Sequence, residues 1–166
     1  LFKLERKKEF LQGSIAGIIA AIIKYIFNEL MQFLKLAKYD NNATALGMVL
    51  KTWENNIIYW TFGFILALFV GAFFGVIIAF IFRYILNENY YLFKGAGIGI
   101  GIFLINFGVF SKVFNYPPDM QSSLGDVISM LLSLILYGVV TVYMLKILGF
   151  FPSQARPNLK LVRKIK

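Results

Sequence analysis

The chain has 166 residues, a formal net charge of +9, 59% hydrophobic and 17% aromatic residues, and a mean hydropathy of +0.72. A water-soluble domain is usually about 45–50% apolar, so the composition points away from one. There is no Cys and no His, which excludes disulfides and thiolate chemistry and removes the commonest general base and transition-metal ligand.

The apolar residues gather in four blocks, about 11–33, 59–82, 94–111 and 126–147, with most charges in the gaps. Each block is close to the ~20 apolar residues with which an α-helix crosses a ~30 Å hydrocarbon layer. The pattern predicts one all-α integral membrane domain over 1–166. It comprises four transmembrane helices in an antiparallel bundle and a basic cytoplasmic tail at 152–166.

The first block follows Lys3, Arg6, Lys7 and Lys8. A secretory signal peptide over 3–27 would share that basic flank. No small-x-small cleavage site precedes a polar region, however, and three more blocks follow, so an uncleaved first helix is expected. The chain opens on Leu1 rather than Met, so Leu1 is not expected to be the native start.

Gly13 and Gly17 form a small-x-x-x-small pair, a flat patch on which another helix packs closely in lipid. Lys24 lies inside the block, where an ammonium is costly, by about 2.5–3.5 kcal/mol on insertion scales. Two readings stay open for it: a snorkelling or structural residue, or a group lining a transport or ligand path. Asn28 is its i+4 neighbour. Glu29, about 140° further round, does not share a face with it well. Glu29 and Gln32 are placed near the outer end, with Glu29 solvated.

The segment 36–58 opens with Asp40-Asn41-Asn42, an N-cap signal, followed by Leu46, Val49, Leu50, Trp53 and Ile57 at helical spacing. It predicts a short amphipathic helix over 43–56. That helix either lies on the outer membrane surface or caps the bundle.

Tyr59 and Trp60 open the second block and Tyr84 closes it; Tyr90, Tyr91 and Phe93 open the third, and Phe150 and Phe151 follow the fourth. Amphipathic rings favour the headgroup level, so these residues are expected as interfacial anchors. The second block carries Gly71 and Gly75. Arg83 to Lys94 encloses Asn87-Glu88-Asn89, a tight turn that should make blocks two and three an antiparallel hairpin. In the third block Gly95, Gly97, Gly99 and Gly101 alternate, so the pairs 95/99 and 97/101 lie on nearly opposite faces. That pattern predicts the third span as the central helix, clasped between two neighbours. The glycine spacing does not match a nucleotide-binding Gly-x-Gly-x-x-Gly. Asn106, Ser129 and Ser133 are read as interhelical hydrogen-bonding residues. Pro117-Pro118 breaks the last loop, and Ser122-Ser123 with Asp126 suits the start of the fourth helix.

With four spans, twelve Lys and Arg fall on the side holding both termini and four on the other, so both termini are placed in the cytoplasm. Basic residues beside the spans read as topology signals and contacts to anionic lipid, and no nucleic-acid partner is expected. No catalytic constellation stands out: there is no metalloprotease, serine-elbow or P-loop motif, no paired acids lie within one span, and no cofactor or metal is implied.

The run Gly13-Ser14-Ile15-Ala16-Gly17-Ile18-Ile19 leading to Lys24, the glycine-containing second span, the short basic turn into Lys94-Gly95-Ala96-Gly97 and the Pro117-Pro118 loop share a recognisable order. In that order the chain resembles small inner-membrane proteins of the YagU-like kind. The likeness is one of architecture and covers most of the chain, which departs from it in lacking His and in its short first outer loop. It implies a four-helix protein of the bacterial inner membrane and no transferable active site. The expected role is that of a non-enzymatic polytopic membrane protein, a structural or accessory subunit that associates with other subunits or with itself. The alternative is a small oligomeric transporter or channel lined by Lys24, Asn28, Glu29 and Asn106.

Overall fold

The structure, a computed structural model, describes residues 2–38, 40–114 and 123–151. The described residues form helices α1 (Phe2–Phe33), α2 (Asn41–Gly47), α3 (Ile57–Tyr84), α4 (Tyr91–Ile105), α5 (Ser111–Val113) and α6 (Leu124–Ile147). A π-helical turn, Asn106–Phe110, joins α4 to α5 without a break. Four helical stretches, Lys7–Phe33, Ile57–Tyr84, Tyr91–Val113 and Leu124–Ile147, are long and apolar enough to cross a membrane. The Pro117-Pro118 loop and the basic tail 152–166 lie outside the described residues.

Local chemistry sets the helix ends. Asn56 caps α3 by accepting from the N–H groups of Ile58 and Tyr59, both at 3.1 Å. Ser123 caps α6 by accepting from Asp126 N–H at 3.2 Å, and the Asp126 carboxylate accepts from the Ser123 hydroxyl and from Lys38 N–H. Asp126 is thereby buried with partners and ties the end of α1 to the start of α6. Both α1 and α6 end in Schellman turns. Leu36 N–H bonds Met31 C=O across Lys35, and Phe150 N–H bonds Leu145 C=O across Gly149.

The bundle centres on α1 and α6. Helix α1 packs on α3 along one side and on α6 along another, while α6 carries α4 on its far side. Consecutive helices α3 and α4 are joined by the short connection 85–90 but make little contact with each other. The α1–α3 crossing is made by glycine. A Cβ on Gly17 would lie 2.3 Å from Gly71 O, and one on Gly75 would lie 2.3 Å from Gly13 O. The α4–α6 crossing is as close, with a Cβ on Gly99 falling 2.4 Å from Leu134 O and one on Gly138 2.2 Å from Gly95 O. Where two backbones approach to van der Waals distance, dispersion and close packing hold the helices together.

The third span is therefore peripheral, not central. Gly95 and Gly99 pack against α6, but Gly97 and Gly101 face open space, where an added Cβ would meet nothing within 4 Å. Only 11% of its apolar window is buried, against 44% for α6. The alternating glycines lie on two faces, and the described helices pack on one of them.

The predicted amphipathic helix over 43–56 is also corrected. Helix occupies only Asn41–Gly47, and it is mostly buried against α3, which agrees with the bundle-capping alternative and not with the surface one. Leu46 is buried while Val49 and Ile57 are exposed, so the apparent apolar stripe does not share one environment. Asp40 fixes the start of α2, and a tightened turn at Met48, whose N–H reaches Ala45 C=O, ends it.

Outward-facing Phe62, Ile65, Phe69, Phe73 and Phe80 run along α3 opposite its buried glycines. A helix apolar on every face in a bundle this small suits a lipid surround. Phe150 and Phe151 do not sit as outlying anchors. Phe150 is buried in the core, and Phe151 packs its ring on Phe82 and Tyr91 at 5.6 and 6.0 Å.

Candidate functional site

A partly open cavity of about 100 Å³ lies where α3 and α4 stand apart. Ala21, Lys24 and Tyr25 of α1 line it, with Asn41, Thr44 and Ala45 of α2 at one end. Phe64 and Phe74 of α3 face Ile102, Asn106 and Phe110 across it, and Met130, Leu134 and Tyr137 of α6 close the back.

The polar end is built by the segment after α1. Asp40 accepts from the N–H groups of Asn42 at 2.7 Å and Ala43 at 3.2 Å, and Thr44 Oγ1 donates to Asp40 C=O at 2.8 Å. This cap winds α2 so that Asn41 meets Lys24, whose Nζ donates to Asn41 Oδ1 at 2.6 Å. Gly63 lets α2 dock, because a Cβ there would lie 2.7 Å from Asn42 O. Asn42 Nδ2 also donates to the Tyr25 hydroxyl at 3.4 Å. The Tyr25 ring meets Phe64 and Trp60 edge-on at 5.1 and 6.4 Å, which stiffens this end of the α1–α3 contact.

On the opposite wall Asn106 begins the π-helical turn and is 9% exposed. Such turns insert a residue into a helix and change which side chains face inward. Deeper in, the Tyr137 hydroxyl donates to Gly71 C=O at 2.6 Å, linking α6 to α3 beside the glycine crossing.

The residues marked out from the sequence separate here. Lys24 and Asn106 both line the cavity. Asn28 and Glu29 do not. Asn28 is 1% exposed and neither amide atom has a hydrogen-bond partner among the described residues, whereas Glu29 is exposed. Ser133 donates back to Met130 C=O in its own helix at 2.9 Å, and buried Ser129 Oγ has no partner among the described residues, so neither shows the expected bridge between helices there.

Tyr25, Asn41, Thr44 and Tyr137 were not marked out from the sequence as site residues. The Asp40-Asn41-Asn42 cap was the available signal, but it says where a helix starts and not that the helix folds back into the bundle. Among the described residues, no group of three or more His, Cys, Asp or Glu side chains converges to hold a metal ion.

Chemically, the arrangement can hold a polar or anionic group by a cation and carboxamides while hydrocarbon lies along the apolar walls. Compared with protein-family models, curated proteins and solved structures, the chain matches none.

Proposed function

We propose that the protein is a non-enzymatic multi-pass protein of the bacterial cytoplasmic membrane, serving as a structural or accessory subunit of a larger membrane assembly. The observation that supports this reading is the free face of α4. Gly97 and Gly101 present a close-packing surface that none of the described helices occupies. In lipid such a surface favours a partner helix, because no hydrophobic effect competes and close approach supplies the attraction. The inner-membrane assignment follows the likeness to YagU-like proteins, and the distribution of Lys and Arg favours both termini on the cytoplasmic side, beside anionic lipid.

Gentle detergent extraction followed by quantitative analysis of co-purifying chains tests this role. A partner subunit, or a second copy, in fixed ratio is the expected result. A lone chain that carries a solute flux in proteoliposomes would contradict it.

A second reading, a small transporter or channel, draws on the cavity that brings Lys24 and Asn106 together. Flux in proteoliposomes that Lys24→Ala abolishes would favour this reading over the first.

A further inference from the structure

We propose that the cavity beside Lys24 binds an oxyanion of carboxylate size. The inference rests on the cavity and its membrane setting, not on the packing role of α4. Among the described residues lining it, Lys24 carries the only charge and no Asp or Glu takes part. The nearby acids Glu29 and Asp40 lie outside the lining. Low-dielectric walls of Phe, Leu, Val and Ile concentrate the field of that cation within the cavity.

The bond to Asn41 holds the ammonium at the α2 end instead of letting it extend away to an interface. Carboxamides of Asn41 and Asn106 stand in the same lining, and amide N–H groups suit an anionic oxygen. Asn106 stands at the start of the π-helical turn, a distortion that recurs at functional sites.

Size narrows the ligand. The space open to the centre of a water-sized sphere, about 100 Å³, is several times the ~10–15 Å³ that one water needs on that measure. It admits a head group of a few heavy atoms. Away from the polar end, Leu68, Val70 and Phe74 continue the lining as hydrocarbon. Two sources share this chemistry: a free short-chain carboxylic acid, and the head of an acyl amphiphile whose chain runs along the slot between α3 and α4.

Equilibrium binding to the full chain in nanodiscs, with empty nanodiscs subtracted, tests the proposal using labelled propionate, palmitate and hexadecanol. Palmitate should bind at least about tenfold more tightly than hexadecanol, as loss of a charge-assisted hydrogen bond implies. Lys24→Gln should weaken it by a similar factor, and Ala67→Trp, which fills the slot away from the polar end, should also reduce it. Helix content and monodispersity establish that each variant is folded, and the wild-type comparison of acid with alcohol needs no variant. Binding of propionate, competing with palmitate, identifies a free small acid as a sufficient ligand, whereas binding of palmitate alone identifies the amphiphile. Equal binding of hexadecanol, full binding by a folded Lys24→Gln variant, or no binding of either acid overturns the proposal.

Discussion

At the residue scale, two Schellman turns solve the same problem with different residues. Gly149 takes the left-handed position after α6 at φ 69°, and Lys35 takes the equivalent position after α1 at φ 56°. A Cβ is disfavoured there by roughly 1–2 kcal/mol, partly offset by the greater freedom glycine loses on folding. Lys35→Gly should therefore raise thermal stability in detergent by about 0.5 kcal/mol, and Gly149→Ala should lower it by about 1 kcal/mol. Unfolding curves of the two variants are the measurement. Asn28 poses a sharper case. Its buried amide has no partner for either atom among the described residues, a state that costs about 1–3 kcal/mol per group. Asn28→Leu, close in size, is expected to stabilise the fold by at least about 1 kcal/mol. An unfolding midpoint that falls on that substitution would mean the amide is stabilised by a partner after all.

At the element scale, glycine position decides which helices meet. A side chain at Gly17 or Gly75 would collide with backbone on the facing helix, so Gly17→Leu should cost about 1–3 kcal/mol or more through forced separation of α1 and α3. Gly97→Leu meets nothing among the described residues and should leave monomer stability nearly unchanged. Thermal melts of the two variants side by side distinguish the faces. The four long helices were legible in the sequence because hydropathy blocks and flanking charges report membrane spans directly. The arrangement was less legible. Alternating Gly95 to Gly101 reveals two packing faces on α4 but not whether a neighbour within the chain fills both. The stripe from Leu46 to Ile57 was misleading for a related reason. Helical spacing marks a possible face, while the Asp40 cap and the seat on Gly63 determine that α2 is short and turned inward.

At the scale of the whole molecule, the ends bearing Glu9, Arg83, Tyr91 and Lys146 gather at one end of the bundle. The Glu9–Arg83 ion pair at 3.0 Å and the Lys146–Tyr91 contact at 3.3 Å mark that end. The polar end of the cavity, at Lys24 and Asn41, lies in the other half. Of its residues, Lys24 and Asn106 were visible as polar groups within apolar blocks. Asn41 and Thr44 were hidden because a polar loop residue looks solvated until the loop is seen to fold into the bundle. The chain has no native Cys, so single cysteines report position cleanly. A membrane-impermeant maleimide should label Lys8→Cys and Asn87→Cys from the cytoplasmic side and Glu54→Cys from the opposite side. Labelling of all three from one side would remove the four-span topology.

The accessory role depends above all on the unoccupied face of α4, and cysteine cross-linking in native membranes tests it most directly. Gly97→Cys and Gly101→Cys should cross-link in high yield to a partner helix, either another subunit or a second copy, while Phe69→Cys on the outward face of α3 should not. Cross-linking that is absent at 97 and 101, or equal at position 69, would contradict the role assigned to that face.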